Sequence, residues 1–153
     1  MKAHINIGSN IGDRMANISR AVALITDLSL YPPRVSKLFE SEPWGYDSVN
    51  MFYNVGVEID TDLSPALLLS ALKSIEKNID PSSHRDENGN YKDRAIDIDL
   101  IYMGDFVISI DSLQLPHPRM EKRAFVLTPI AELDPTWHHP VTGKTAIQML
   151  SEL

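Results

Sequence analysis

The strongest chemical signal in the chain is a pair of acids one residue apart, Asp97 and Asp99, in the run Ala95-Ile96-Asp97-Ile98-Asp99-Leu100. Strand side chains alternate between faces, so the two carboxylates share one face and Ile96, Ile98 and Leu100 share the other. Two carboxylates side by side repel, and a cation or a proton must compensate them. Hard oxygen ligands favour magnesium, which commonly takes one or two carboxylates and fills its shell with substrate phosphates. Two such ions can bridge a phosphate chain. The competing reading is a solvated strand face neutralised by basic neighbours. Lys92 and Arg94 stand just before the pair. Lysine supplies a point charge and arginine a planar fork for phosphate. Strict alternation would put Arg94 on the isoleucine face, so it is expected to sit ahead of the regular strand.

Other residues each carry two readings when taken singly. His117 is a hydrogen-bonded structural residue or a ligand. Asn54 pairs with backbone at a turn or reads a substrate. Phe125 is core or stacking surface, and Trp44 a surface aromatic or a recognition group. Gly143-Lys144-Thr145 resembles the end of a P-loop, but the glycine required five positions earlier is His138 and no strand precedes it. A turn and a helix start are the better reading. His138 and His139 are adjacent on an extended segment and point apart, which suits surface histidines rather than a metal pair.

These residues need elements to position them. Residues 3–8 read as a buried strand ending in the turn-rich Gly8-Ser9-Asn10. A helix over about 13–29 follows, with Met15, Ile18, Val22 and Ile25 on one face, stopped by Tyr31-Pro32-Pro33. Residues 34–41 read as a second strand, 42–50 as a loop, and Met51 to Ile59 as a third strand. Ser64-Pro65 is a good helix start, and that helix runs to about 79. Residues 80–93 form a long polar loop of the kind that is often functional. Ala95–Tyr102 is a strand, Gly104-Asp105 a turn and Phe106–Ile110 a short strand. Short helices are predicted at about 119–122, 128–132 and 144–151. The order β-α-β-β-α-β predicts an α+β, ferredoxin-like antiparallel sheet with helices packed on both sides, as one domain over 1–153.

Composition narrows the function classes. A chain of 153 residues can bury a real core as one domain. Its formal charge of −7 argues against nonspecific nucleic-acid binding, which needs a basic surface. No apolar run approaches membrane-spanning length, and the start shows no signal peptide. The absence of cysteine excludes a disulfide framework, a thiolate zinc site and a cysteine nucleophile. These features fit a cytoplasmic protein that binds neither nucleic acid nor membrane.

Four segments resemble one known family, the 6-hydroxymethyl-7,8-dihydropterin pyrophosphokinases of the folate pathway. They are Ile7-Gly8-Ser9-Asn10-Ile11-Gly12-Asp13; Glu42-Pro43-Trp44-Gly45 with Phe52-Tyr53-Asn54; Asp93-Arg94-Ala95-Ile96-Asp97-Ile98-Asp99-Leu100; and Leu115-Pro116-His117-Pro118-Arg119-Met120 with Arg123-Ala124-Phe125-Val126-Leu127. They occur in the family's order over about residues 5–145. The resemblance implies transfer of the β,γ-pyrophosphate of ATP, the co-substrate, to the hydroxymethyl oxygen of the pterin, with release of AMP. It implies two Mg2+ ions on Asp97 and Asp99, and phosphate contacts from Arg94, His117 and Arg123. It implies a pterin site formed by Ser41, Glu42, Pro43, Trp44, Phe52, Asn54 and Phe125, and a nucleotide near Glu76. The chain departs from the family pattern in the 80–93 loop. Tyr91 stands where the family has tryptophan, and Lys92-Asp93 replace Gly-Pro. Arg85 and His84 are the nearest cations for phosphate there, with Tyr91 and Lys92 beside the nucleotide and Arg85 in a catalytic role. Association with other folate-pathway enzymes is a further expectation. Two other readings compete: a degenerate member that binds pterin or ATP without turnover, and a ferredoxin-like RNA-binding or interaction module.

Overall fold

A computed structural model describes residues 1–82 and 85–153. The first strand, β1 (Lys2–Ser9), alternates strictly: Ala3, Ile5 and Ile7 are fully buried on one face, while His4, Asn6 and Gly8 take the other. Helix α1 (Arg14–Thr26) starts on an N-cap, with the Asp13 carboxylate accepting from the Ala16 N–H at 3.1 Å. Strands β2 (Arg34–Val35) and β3 (Phe39–Ser41) both pair antiparallel with β4 (Phe52–Asp60). Helix α2 (Pro65–Ile79) is capped by Ser64, with proline at its first turn. Then come β5 (Asp97–Met103), β6 (Ile108–Ile110) and β7 (Leu113–Leu115), a 3-10 turn (Met120–Lys122), α3 (Ala124–Leu133) and α4 (Ala146–Ser151). Among the described residues the main sheet runs β2-β4-β1-β5, with β3 also on β4 and each of these pairings antiparallel. No described helix is long and apolar enough to cross a membrane.

The two faces of the sheet are covered differently. On the first, Ile18, Ala21 and Ile25 of α1 and Leu68 and Leu72 of α2 close over Ile5, Ile7, Val55, Val57, Ile98 and Leu100. Removing this apolar surface from water is the main stabilising term. On the second face, α3 and α4 cover one end of the strands through Ile101, Tyr102, Met120, Leu127, Ile130, Trp137 and Met149. The β1–β5 register shifts between His4 and Ile5, so Leu100 pairs Ile5 while Tyr102 pairs His4. This bulge lets both Ile101 and Tyr102 serve the second core. The other end of that face carries Asn6, Gly8, Asn54, Asp97 and Asp99, which line a cavity. Helices on both faces and an α+β antiparallel sheet agree with the predicted class.

Several element boundaries differ from those predicted. The strand expected over 34–41 is broken at Ser36–Leu38, where the Ser36 hydroxyl accepts from the Gly56 N–H at 2.8 Å. Helix α1 ends at Thr26, and Met15 is 47% exposed rather than on the core face. β7 is a strand that the sequence reading did not assign; it buries Leu113 and Leu115 and exposes Gln114. The helix expected at 128–132 begins at Ala124 and accommodates Pro129 internally. His139 is buried, edge-on to Trp137, while His138 is exposed. Thr145 caps α4 in a capping box with Gln148, so Gly143-Lys144-Thr145 is a turn and helix start.

Candidate active site

Three central strands build the floor. Registry places Asn6 opposite Asp99, and Gly8 opposite both Asp97 and Asn54. All point to the second face by the two-residue period. Gly8 keeps the floor open: a side chain there would start 3.2 Å from Asn54 Oδ1 and 3.2 Å from the Phe52 ring. The Asn54 amide donates to the Phe39 carbonyl at 3.1 Å and to Ser41 Oγ at 2.8 Å. Its orientation is therefore set by β3, with Oδ1 above Gly8. Asn6 Oδ1 is buried without a hydrogen-bond partner. Such an atom is costly unless a ligand or water meets it.

The walls come from loops. The cavity, about 280 Å3, is lined by Ser41, Glu42, Trp44, Tyr46, Phe52, Asn54 and Phe125. Tyr91, Arg94, Asp97, Asp99, His117, Arg119 and Arg123 line it as well. Arg94 precedes the regular strand, as predicted, and its guanidinium holds Asp97 at 3.0 Å. Its backbone exchanges two hydrogen bonds with Asn10, at 2.8 and 3.1 Å. The Arg123 guanidinium lies over Trp44 at 4.4 Å and near Phe125 at 5.6 Å, and its buried Nε has no partner. Tyr91 is flanked by Arg85 at 4.1 Å and Arg94 at 5.3 Å, and its hydroxyl accepts from Arg119 at 3.3 Å.

Charge in the site is frustrated in one place. Burial, and then the charge on Asp97, push the Asp99 carboxyl well above the usual range. Arg123 and Arg94 oppose that rise incompletely. His117 is pulled down to about 4, first by burial and then by Arg123 and Arg119. Its Nδ1 accepts from the Arg119 N–H at 3.2 Å, so a neutral ring carries its proton on Nε2. Glu76 sits outside the cavity, at the free edge of β5, where it accepts from the Ile98 N–H at 2.8 Å. Burial raises it to about 7.

Magnesium fits the acid pair. The donors are hard carboxylate oxygens on one face. Among the described residues no third acid or histidine joins them. That suits an ion whose remaining ligands are water and phosphate oxygens. A shallower groove of about 180 Å3 adjoins the cavity, sharing Asp99, His117 and Pro118, and adds Leu69, Lys73, Leu100 and Leu113. A long ligand can therefore run from one depression to the other past the acids.

Of the residues singled out from sequence, Pro43, Glu76, Arg85 and Lys92 do not line the cavity. Arg85 turns to the Gly89 carbonyl at 2.9 Å and to the Tyr91 ring. His84 lies outside the described residues. Sequence reasoning missed Asn6, Gly8, Tyr46 and Arg119. The polar alternation His4-Asn6-Gly8 within an apolar strand was the available signal for the first two.

The chain matches the profile of a family described as 7,8-dihydro-6-hydroxymethylpterin-pyrophosphokinase over residues 4–135. It is 34% identical over 141 residues to the 2-amino-4-hydroxy-6-hydroxymethyldihydropteridine pyrophosphokinase of Aquifex aeolicus, covering 92% of this chain and 85% of that protein. The protein of the same name from Bacillus subtilis is 37% identical over 132 residues, 86% of this chain and 77% of that one. A folate synthesis bifunctional protein of Arabidopsis thaliana is 38% identical over 130 residues, 84% of this chain but 26% of its own length. Among solved structures, Plasmodium falciparum HPPK-DHPS superposes with a TM-score of 0.71 at 14% identity. The match covers 99% of this chain and 44% of that one, and supports the fold.

Proposed function

This chain belongs to the 7,8-dihydro-6-hydroxymethylpterin-pyrophosphokinase family, and we infer that it carries out that family's reaction. It transfers the β,γ-pyrophosphoryl group of ATP to the hydroxymethyl oxygen of 6-hydroxymethyl-7,8-dihydropterin in folate biosynthesis, and AMP leaves. The observation that carries this reading is one cavity with two chemistries. Aromatic rings and the oriented amide of Asn54 line it together with paired acids and arginines.

The geometry assigns work to each set of groups. A flat heterocycle needs aromatic planes and polar edges that match its own. Phe52, Trp44 and Phe125 supply planes, while Asn54 Oδ1 and the unpartnered Asn6 Oδ1 supply acceptors. The adjoining groove takes the nucleotide, with Leu69 and Leu113 as apolar walls for a base. Its phosphates then pass His117, Arg119 and Arg123. Neutral His117 donates from Nε2 as a hydrogen-bond group rather than as a cation. Asp97 and Asp99 would hold two magnesium ions, which supply charge neutralisation along the phosphate chain and polarise the reacting phosphoryl group. Arg94 keeps Asp97 in place and adds positive charge. In the transfer, the hydroxymethyl oxygen bonds to the β-phosphorus, the bond from that phosphorus to the α–β bridging oxygen breaks, and the hydroxyl proton is released to solvent. Such reactions depend on positioning and charge compensation, so no covalent enzyme intermediate is needed.

Relatives named as bifunctional folate synthesis proteins carry the matching region within longer chains. That supports association with other enzymes of folate synthesis. The test of the activity is direct. The protein, ATP, magnesium and 6-hydroxymethyl-7,8-dihydropterin should yield AMP and pyrophosphorylated pterin, and a chelator should stop the reaction. Formation of ADP, or turnover indifferent to the chelator, would overturn the assignment. Pterin binding without any AMP would identify a degenerate member.

A further inference from the structure

Asp93 stands next to Arg94 and outside the cavity wall, yet its carboxylate collects four hydrogen bonds. Oδ1 accepts from Asn10 Nδ2 at 2.8 Å and from the Tyr46 hydroxyl at 3.1 Å. Oδ2 accepts from Ser48 Oγ at 3.1 Å and from Asn50 Nδ2 at 2.6 Å. The donors are 83, 47, 45 and 43 positions away in sequence. An ionised carboxylate is the side chain that can accept this many bonds and donate none. Being charged, it makes stronger ones than a neutral group. Asn10 extends the hub: its amide also donates to the Tyr46 hydroxyl at 2.9 Å and to the Asn50 carbonyl at 3.2 Å.

Three separate segments therefore meet on one carboxylate. The first is the turn after β1. The second is the 42–51 loop, which has no regular structure of its own and whose Trp44 and Tyr46 line the cavity. The third is the segment leading into Arg94 and Asp97. Without the hub, that loop would have to be ordered by the substrate, and the ordering cost would be subtracted from binding. We propose that Asp93 is a positioning residue for the pterin side of the reaction, a latch that holds the 42–51 wall in register with Arg94 and Asp97 before the pterin arrives. The proposal rests on the pyrophosphokinase reading.

The test measures binding of 6-hydroxymethyl-7,8-dihydropterin by calorimetry, and separately the KM for ATP. Asn50→Asp sets a second carboxylate against Asp93, and the pterin Kd should rise about 10-fold, as expected for losing a charged hydrogen bond. The KM for ATP should stay within about twofold, because Arg94 keeps its own backbone hydrogen bonds to Asn10 and its ion pair with Asp97. Adding Asp93→Asn to Asn50→Asp restores one amide facing one carboxylate, and the Kd should return to within about threefold of the parent. A purely structural residue would not show this rescue confined to one substrate. Ser48→Ala, which removes a single donor, should give a milder rise and serves if Asn50→Asp fails to fold. An unchanged pterin Kd in these variants, a failed rescue, or an equal rise in the KM for ATP would overturn the latch. No pterin binding by the unaltered protein would overturn both the latch and the pterin site. Pterin binding without AMP release would overturn only the reaction.

Discussion

Asp99 is held in the folded protein at an energetic cost. Its carboxyl loses water and faces Asp97, so its proton affinity in the fold is raised above that in the unfolded chain. A raised carboxyl contributes stability below its unfolded value and loses it as pH rises through its folded value. At neutral pH without a divalent ion the fold must therefore keep on Asp99 a proton that the unfolded chain releases, and this costs stability. Asp99→Asn should lower turnover by roughly 100-fold or more. In metal-free buffer it should raise Tm, and the parent's rise in Tm on adding magnesium should disappear. Full activity, or a magnesium-induced Tm rise equal to the parent's, would remove Asp99 from the metal site. This pair was legible in the sequence because strand alternation is a local rule. Asp93 was not. Beside Lys92 it looked only like a loss of the family's Gly-Pro, and its partners are distant residues that only the fold assembles.

At the scale of elements, β4 and α3 meet at one point without slack. Gly56 lies between them, opposite Asn6 on β1. A methyl group added there would overlap the Pro129 side chain and sit 2.8 Å from His4 Nε2. Neither a proline ring nor a buried histidine can easily move aside. Gly56→Ala should cost about 1–3 kcal/mol of overpacking strain, read as a lower urea midpoint. A midpoint equal to the parent's would show that α3 can shift. Element order was readable from periodicity and, for α2, from its cap, as Ser64 shows. The interruption at Ser36 and the early start of α3 were not. Both depend on contacts with β4: the Gly56 N–H bonds the Ser36 hydroxyl, and α3 packs on that strand.

Across the whole molecule, the second core contains an ionisable group that must stay neutral. His4 is fully buried, both ring nitrogens lack partners, and it stacks on Tyr102 at 5.6 Å. Burial lowers it from 6.5 to about 3. A base depressed in this way leaves stability intact above its unfolded value and erodes it as pH falls toward the folded value. From pH 7 to 5 the loss attributable to His4 is about 2 kcal/mol. His117 acts in the same direction. Glu58, raised by burial, acts in the opposite one. His4→Phe should therefore lose about 2 kcal/mol less than the parent between those pH values, measured by urea unfolding. Parallel curves for the two proteins would refute this. The sequence showed the sheet and its helices. It did not show which end of the second face the last third of the chain would cover, and so did not show where the site would open.

That division of the face also separates the chain's two tryptophans. Trp44 is 40% exposed at the open end, beside the guanidiniums of Arg119 and Arg123. Trp137 is 8% exposed at the covered end, stacked on Tyr102 at 4.0 Å. Their emission should therefore report on different events, substrate entry for one and loss of the second core for the other. A Trp44→Phe protein would give an unfolding signal free of the ligand's, and a Trp137→Phe protein the reverse.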